Sequence, residues 1–305
     1  MHPAKSVILF TVSSGLGFGM MILLGLGIGP VDAIWGPLTG LAALGLSGIG
    51  LLSSTFHLGN PQRFLKAFTQ WRSSWLSREG VVSVILMALF FAYVVLWYMS
   101  GAPMRILGIF CAALALAAVI CTSMIYGQIK AVPRWSTPYT VAMFIGYALT
   151  GGILAVSLAM TLSGTSAPIL LAMVMIATSA AAYAYRRRAM AITLAGAGSS
   201  PETATGLGKQ GTVRLLESPH SQPNYLMKEM VFRVGRKHAE KLALIAVILG
   251  LFAPLFLFIV SRDAAGFGAL GIALALIMHF GGALVSRWLF FAEAEHVVGL
   301  YYGQR

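Results

Sequence analysis

The sequence predicts an all-α integral membrane protein, a bundle of eight transmembrane helices with both termini cytoplasmic. Three observations carry that expectation. Of 305 residues, 58% are hydrophobic and 10% charged, with a mean hydropathy of +0.83, whereas soluble domains carry about 25% charged residues. Eight apolar runs of about 20 residues match the length a helix needs to cross a hydrocarbon core of about 30 Å. Runs such as "VVSVILMALFFAYVVLWYM" lack the alternation of a barrel strand, the other structure lipid permits.

The runs fall near 6–28, 34–56, 80–100, 106–126, 139–162, 167–185, 242–261 and 267–291. The first is long, Gly-rich and without a small-residue cleavage pattern, and it leads directly into the second, so it reads as a span and not a signal peptide. Its "SSGLGFGM" follows no strand and misses the G-x-G-x-x-G spacing of a nucleotide loop. Gly15 with Gly19, Gly25 with Gly29 and Gly36 with Gly40 are instead small-xxx-small pairs that let helices approach closely. The fourth run holds both cysteines, Cys111 and Cys121, which read as small core residues. The sixth ends at Arg186, Arg187 and Arg188, and the eighth carries His279 near its middle.

Eight spans place the N-terminus, residues 57–79, 127–138 and 186–241, and the C-terminal end on one side. That side holds 19 of the 21 Lys and Arg residues, all but Arg105 and Arg262, and the positive-inside rule makes it cytoplasmic. The formal net charge of +12 is thus first a topology signal; no basic stretch sits in a nucleic-acid-binding fold. The outer connections, "GPVDA", "GAPMR", "LSGTS" and "RDAAG", are too short to build an enzyme. The chain reads as one polytopic domain, 1–305, with one long cytoplasmic loop.

That loop, 186–240, passes through the Gly/Ser/Pro/Thr-rich "GAGSSPETATGLGKQG" into "NYLMKEMVFRVGRKHAEKL". Leu226, Met230 and Val234 at helical spacing, with Lys228, Arg233, Arg236 and Lys237 beside them, predict an amphipathic helix. Two readings stand: a helix lying on anionic lipid, or a surface that docks a soluble partner. The length of the loop favours docking.

The scarce ionisable groups crowd into "STFHLGNPQRFLKAFTQWRSSWLSREG", residues 53–79. His57 closes the second span and Glu79 opens the third, so a hairpin returns both to one depth. A His beside a carboxylate whose pKa burial can raise makes a proton-handling pair. Quinone chemistry needs such a pair, since two electrons and two protons move together, and the aromatic surroundings suit a ring with an isoprenoid tail. Against this stands a plain alternative in which Glu79 caps its helix and His57 snorkels to the headgroups.

Other redox chemistry is constrained by counting. Two cysteines in one span cannot supply the about four thiolates of an iron–sulfur cluster. A b-type haem needs two facing axial ligands, and His57 and His279 differ in expected depth by well over about 10 Å. His279 paired with one of the 15 methionines is the haem route left open; a helix-to-helix hydrogen bond is its plainer role.

The segments "HLGNPQRFLKAFTQWRSSWLSREG" and "MIYGQIKAVPRWSTPYT" resemble the two signature segments of the dimethyl sulfoxide reductase anchor-subunit family (DmsC-like), related more distantly to NrfD-like quinone-interacting subunits. The resemblance covers essentially the whole chain. It implies a haem-free anchor that joins a molybdopterin catalytic subunit and a four-cluster ferredoxin-like iron–sulfur subunit, and that exchanges electrons with ubiquinone or menaquinone in a bacterial inner membrane. The molybdopterin and the clusters belong to those partners, and no metal is expected in this chain. His57 and Glu79 match the family's quinone-site His and acid, with Trp75, Arg78, Tyr126 and Arg134 as further quinone-binding or proton-transfer candidates. Arg63, Lys66, Arg72, Lys130, Arg233, Arg236 and Lys237 are the candidates for partner docking.

The opening "MHPAKSVILFT" and the long loop resemble more closely the anchors of cytoplasmic sulfite-oxidising complexes, which implies sulfite oxidation with quinone reduction. The alternative branch oxidises menaquinol to reduce S-oxides. A third reading, a secondary transporter using His57, Glu79 and His279, draws on the cost of intramembrane charge. It lacks paired unwound segments, and its charges gather at one face.

Overall fold

The computed structural model describes residues 3–55, 65–66, 68–194, 196–217, 238–264 and 266–302. Among them every regular element is helical. The long helices are α1 (Lys5–Gly25), α2 (Trp35–Thr55), α3 (Trp75–Ser100), α4 (Arg105–Gly127), α5 (Pro138–Leu162) and α6 (Leu170–Ala191). After a short α7 (Pro201–Thr205) come α8 (Ala239–Val247), a π-helical turn (Ile248–Phe252), α9 (Ala253–Ser261) and α10 (Gly268–Ala292), with a 3₁₀ turn at Val297–Tyr302.

All eight apolar runs are helical. Seven of these helices, α1 to α5, the continuous α8–α9 stretch and α10, are long and apolar enough to cross a membrane. The sixth helix is not one of those seven: it stands where its run lies, and its last turns carry Tyr183, Tyr185 and Arg186 to Arg188.

Local chemistry sets the ends. Asp32 Oδ1 accepts the N–H groups of Ile34 (2.9 Å) and Trp35 (2.7 Å) at the start of α2, a side chain doing for the first turn what no earlier carbonyl can. Gly101, with φ of 77°, closes α3 in the left-handed conformation. Pro138 opens α5, where its missing N–H costs nothing. In the seventh run Pro254 cannot donate to the carbonyl four residues back. The chain widens there into the π turn, and the Gly250 carbonyl faces His279 of α10 at 2.6 Å.

The bundle is organised around α1, most of whose residues are buried, against α2, α4, α5 and α10. Glycine permits this crowding. A Cβ on Gly19 would stand 1.8 Å from the Ala148 carbonyl, one on Gly152 2.4 Å from the Gly19 carbonyl carbon, and one on Gly25 2.3 Å from the Gly108 carbonyl. Gly36 and Gly40 likewise take up Trp97 and Val94 of α3. The expected packing role thus holds for these helical glycines. Gly29, paired with Gly25 in the sequence reading, lies instead in the turn after α1 with φ of 151°. Cys111 and Cys121 are buried free thiols, as core residues should be.

Helices of alternating direction bring the start of α1, the 65–74 turn, residues 128–137, the end of α6 and the end of α10 to one end of the bundle. Hydrogen bonds tie that end together: Val297 N donates to Ala131 O (3.0 Å), and Arg134 donates to Ile192 O (3.0 Å) and Glu293 O (2.9 Å). Burial holds the His296 imidazole below its ordinary pKa, and its Nδ1 accepts the Val298 N–H at 3.0 Å.

Replacing Gly19 or Gly152 by Val should force α1 and α5 apart and cost about 1–3 kcal/mol, seen as a lower melting temperature in detergent. Gly45→Ala, where an added Cβ meets nothing within 4 Å, should leave melting unchanged or slightly raised.

Candidate functional site

Glu79 lies four residues into α3 and is 3% exposed. The helix begins at Trp75 behind an extended Ser74, so the carboxylate sits inside the bundle beyond the first turn. Its recorded partner is a side chain across the helix interface: Thr122 Oγ1 of α4 donates to Glu79 Oε1, and the alternative in which Glu79 caps its own helix finds no support in these contacts. The same hydroxyl reaches the Ala118 carbonyl at 3.0 Å. This pair accommodates either protonation state. A carboxylate accepts from Thr122, and a protonated carboxyl can donate to Thr122 while Thr122 donates to Ala118.

Arg78, on the neighbouring turn, folds the hairpin back on itself. Its Nε donates to Trp71 O (3.0 Å) and its Nη2 to Arg72 O (2.7 Å), and its guanidinium lies 4.4 Å from the Trp75 ring centroid. His57 and Arg63 lie outside the described residues, as do Arg233, Arg236 and Lys237. Lys66, Arg72 and Lys130 are described and exposed, at the same end of the bundle as Arg134.

One turn beyond Thr122 on α4, Tyr126 enters an aromatic layer. Its ring centroid is 5.4 Å from Trp135, 5.8 Å from Phe144, and 5.4 Å from both Phe290 and Phe291. Trp135 Nε1 donates to Phe290 O at 2.9 Å, which fixes the layer to the end of α10. Arg134 is used in closing this end of the bundle, through the two carbonyls already described. Beside it, Arg186 makes a two-pronged ion pair with Glu293.

The sequence reading missed two residues here. Thr122 gave no signal, because a hydroxyl in an apolar helix ordinarily bonds back to its own turn. Arg287 was counted among the cytoplasmic charges, yet it is 4% exposed and lies 3.6 Å from the centroid of Phe144. Its Nε and Nη1 have no hydrogen-bond partner among the described residues. A charge inside an apolar run was the available signal. Arg287 and Thr122 line one internal cavity together with Thr11, Phe144, Tyr147 and His279.

His279 is buried between helices. Nδ1 donates to Gly250 O (2.6 Å), and Nε2 faces Tyr147 O at 3.2 Å. Carbonyls meet both ring nitrogens, which is the helix-to-helix bonding the sequence suggested. Among the described residues no group of three or more His, Cys, Asp or Glu is placed to hold a metal ion.

The kinship of the chain agrees with this geometry. The model of the DMSO reductase anchor subunit family (DmsC) matches residues 1–303. The chain belongs to that family. It is a membrane-anchor subunit. A sulfite dehydrogenase subunit of Allochromatium vinosum is 32% identical over 332 aligned positions, covering 99% of both chains. The anaerobic dimethyl sulfoxide reductase chain YnfH of Escherichia coli is 34% identical over 121 positions, 37% of this chain and 41% of the relative.

Removing one partner of the Arg186–Glu293 pair strands a charge that is mostly shielded from solvent, side chains being 16% and 14% exposed. Arg186→Met should therefore destabilise the anchor by about 1–3 kcal/mol. The reversed pair, R186E with E293R, should recover part of that loss in detergent unfolding.

Proposed function

We propose that this anchor carries electrons from a soluble iron–sulfur subunit to quinone in a bacterial inner membrane, as part of a complex whose molybdopterin subunit oxidises sulfite. The similarity to the sulfite dehydrogenase subunit over 99% of both chains carries the choice of substrate. The match to the dimethyl sulfoxide reductase chain spans 37% of this chain, and it supports the opposite direction, quinol oxidation by an S-oxide, more weakly. Membership of an anchor family replaces the transporter reading.

In this reading all eight apolar helices span the membrane, α6 included, because its arginines lie in its last turn where they can reach the headgroup region. Both termini are cytoplasmic by the positive-inside rule. The cationic end of the bundle then faces the catalytic partners. Arg78, Arg134 and Arg186 are engaged inside the subunit, while Lys66, Arg72 and Lys130 are exposed and free to meet an acidic surface, with Arg63 and the basic loop 186–240, including Arg233, Arg236 and Lys237, extending it. Charge complementarity of that kind steers association and register.

The chemistry balances across the complex. Sulfite and water give sulfate, two protons and two electrons; the electrons pass through the partner's clusters, and quinone takes up two electrons and two protons to give quinol. This chain supplies the quinone site and the proton route. Glu79 sits one turn inside the cytoplasmic end, so it can collect a proton from that side and release it through Thr122, with His57 as its expected companion from sequence. Tyr126, Trp75 and the neighbouring rings offer flat apolar surface to a quinone head. His279 has both nitrogens facing carbonyls, an arrangement suited to tying helices and not to axial ligation of a haem.

The purified complex, given sulfite and an oxidised quinone analogue, should form one quinol per sulfite consumed. S-oxide-dependent quinol oxidation without any response to sulfite would overturn the proposed direction. Glu79→Gln keeps the bond to Thr122 but removes the titratable proton, so sulfite-to-quinone turnover should fall by about 100-fold. Reduction of an artificial dye by the soluble subunits should survive. Unaltered quinone turnover would exclude Glu79 from proton transfer.

A further inference from the structure

Arg287 sets a problem of charge. A guanidinium buried this deeply needs acceptors, because its desolvation is otherwise uncompensated, yet Nε and Nη1 find none among the described residues. Phe144 and Phe290, at 3.6 and 5.7 Å, offer ring faces, which attract a cation but accept no conventional hydrogen bond. The cavity beside the guanidinium has room for about one or two waters. Thr11, Ser14 and Thr122 also line it. Thr11 donates to Ile8 O at 3.1 Å, Ser14 to Phe10 O at 2.7 Å, and Thr122 to Glu79 and Ala118. Each hydroxyl therefore has lone pairs, and no free proton, to offer. Water both accepts from Arg287 and donates to those oxygens, whereas an anion has no proton to give them.

A second cavity repeats the pattern nearer the rim. Arg134, Tyr185, Arg186, Ser286 and Glu293 line it, and it too has room for about one or two waters. The two Nη atoms of Arg186 pair with Glu293, and Nε is buried with no partner among the described residues. The Arg186 and Glu293 side chains remain 16% and 14% exposed, so this cavity stands next to solvent. Tyr147 of α5 lines both cavities. Its hydroxyl is hydrogen-bonded to Ser286 and lies within electrostatic reach of both Arg287 and Arg186, so one hydroxyl pair joins the surroundings of the two guanidiniums.

We propose that waters held by Arg287 and Arg186 join Glu79 to Glu293 at the rim, through Thr122, Tyr147 and Ser286, and that Glu79 exchanges protons with the cytoplasm along this chain. This rests on the reading of Glu79 as the proton carrier for quinone and names its route. The transfer balances oxygen by oxygen. Once Glu79 has given up its proton, its carboxylate takes one from Thr122 as Thr122 takes one from the water at Arg287; each O–H bond formed matches one broken. The deficit then passes through Tyr147 and Ser286 to the water at Arg186, and on to Glu293 and solvent. One proton has entered Glu79, and one has left the cytoplasmic water. Two cations along the way repel an excess proton and stabilise the negative oxygen left by a missing one, so the chain conducts the deficit. Arg287 is a positioning residue: it holds the water and does not itself exchange the proton.

Sulfite-to-quinone turnover of the intact complex tests the chain. Tyr147→Phe keeps the ring and removes the hydroxyl. It should lower kcat about tenfold, part of what acid–base groups contribute, leave KM for quinone unchanged and raise the solvent deuterium isotope effect on kcat. Dye reduction by the soluble subunits should persist. Arg287→Met should act the same way, and Arg287→Lys, which keeps the charge, should recover part of the rate. A raised KM with an unchanged isotope effect, or wild-type kinetics in either Tyr147→Phe or Arg287→Met, would overturn the chain. Radiolytic hydroxyl-radical labelling of the wild-type complex marks side chains that touch bound water and needs no variant. Tyr147 and Phe144, which line the cavity, should be labelled several-fold faster than Tyr93 and Phe90, which are also buried; equal labelling would overturn the waters. Reduced turnover in Glu79→Gln with wild-type kinetics in Tyr147→Phe overturns the chain alone, and unaltered turnover in Glu79→Gln overturns the reading beneath it.

Discussion

The close approach of α1 to its neighbours is the constraint on which the remaining structure depends. Lipid gives no hydrophobic drive between apolar helices, so association rests on packing and on polar groups that satisfy one another. At Gly19 and Gly152 the backbones of α1 and α5 meet with no room for a methyl group. At Gly25 and Gly108 the same holds between α1 and α4, where Tyr93 of α3 adds a hydrogen bond to Leu24 O at 3.1 Å. With α1 held centrally, α4, α5 and α10 surround it and bring Thr122, Phe144 and Arg287 to one cavity. Side chains from four helices can converge there because two of the interfaces are almost backbone on backbone.

Much of this was legible in sequence, for a physical reason. Span positions follow from length and apolarity, and each of the eight runs is a helix whose ends lie within about six residues of the expected limits. The glycine pairs announced packing because a missing side chain has few other uses inside a straight apolar helix. Hairpin geometry was less legible. The third helix starts at Trp75 instead of near residue 80, which moves Glu79 from a helix end to a buried interface, where it meets Thr122. Hydropathy could not find that boundary, because Trp75 to Arg78 include polar and amphipathic residues and are still helical. The His57 half of the proposed pair lies outside the described residues, so its role remains a reading of the sequence.

Two consequences of a single proline show why other site features stayed hidden. Pro254 removes the donor that Gly250 would have had in a regular helix, and the π turn leaves the Gly250 carbonyl facing the centre of the bundle. His279 occupies it at 2.6 Å. A Gly on the opposing helix makes this possible, since a Cβ on Gly282 would stand 2.2 Å from the Gly250 nitrogen. The sequence shows a histidine in mid-span, a pattern shared by haem ligands, proton carriers and structural bonds alike. Only the register of α10 against the π turn distinguishes them, and that register is set by glycines 32 residues apart in the chain, Gly250 and Gly282.

The distribution of charge follows from the same economy of partners. Positive residues at one end satisfy topology, but topology alone does not say what each one does. Arg78 and Arg134 are occupied by carbonyls, and Arg186 by Glu293, so these three close the bundle; Lys66, Arg72 and Lys130 stay outside it. Arg287 belongs to neither group. It lies five residues inside the end of α10, as Thr122 lies five residues inside the end of α4, which puts both about 8 Å below the helix ends and near the depth of Glu79. A cation at that depth strengthens any hydrogen bond it makes to a ligand oxygen, because little water competes. Salt and bulk water moderate each interaction of the exposed cations, whereas Arg287, a buried arginine among the described residues, is shielded from both.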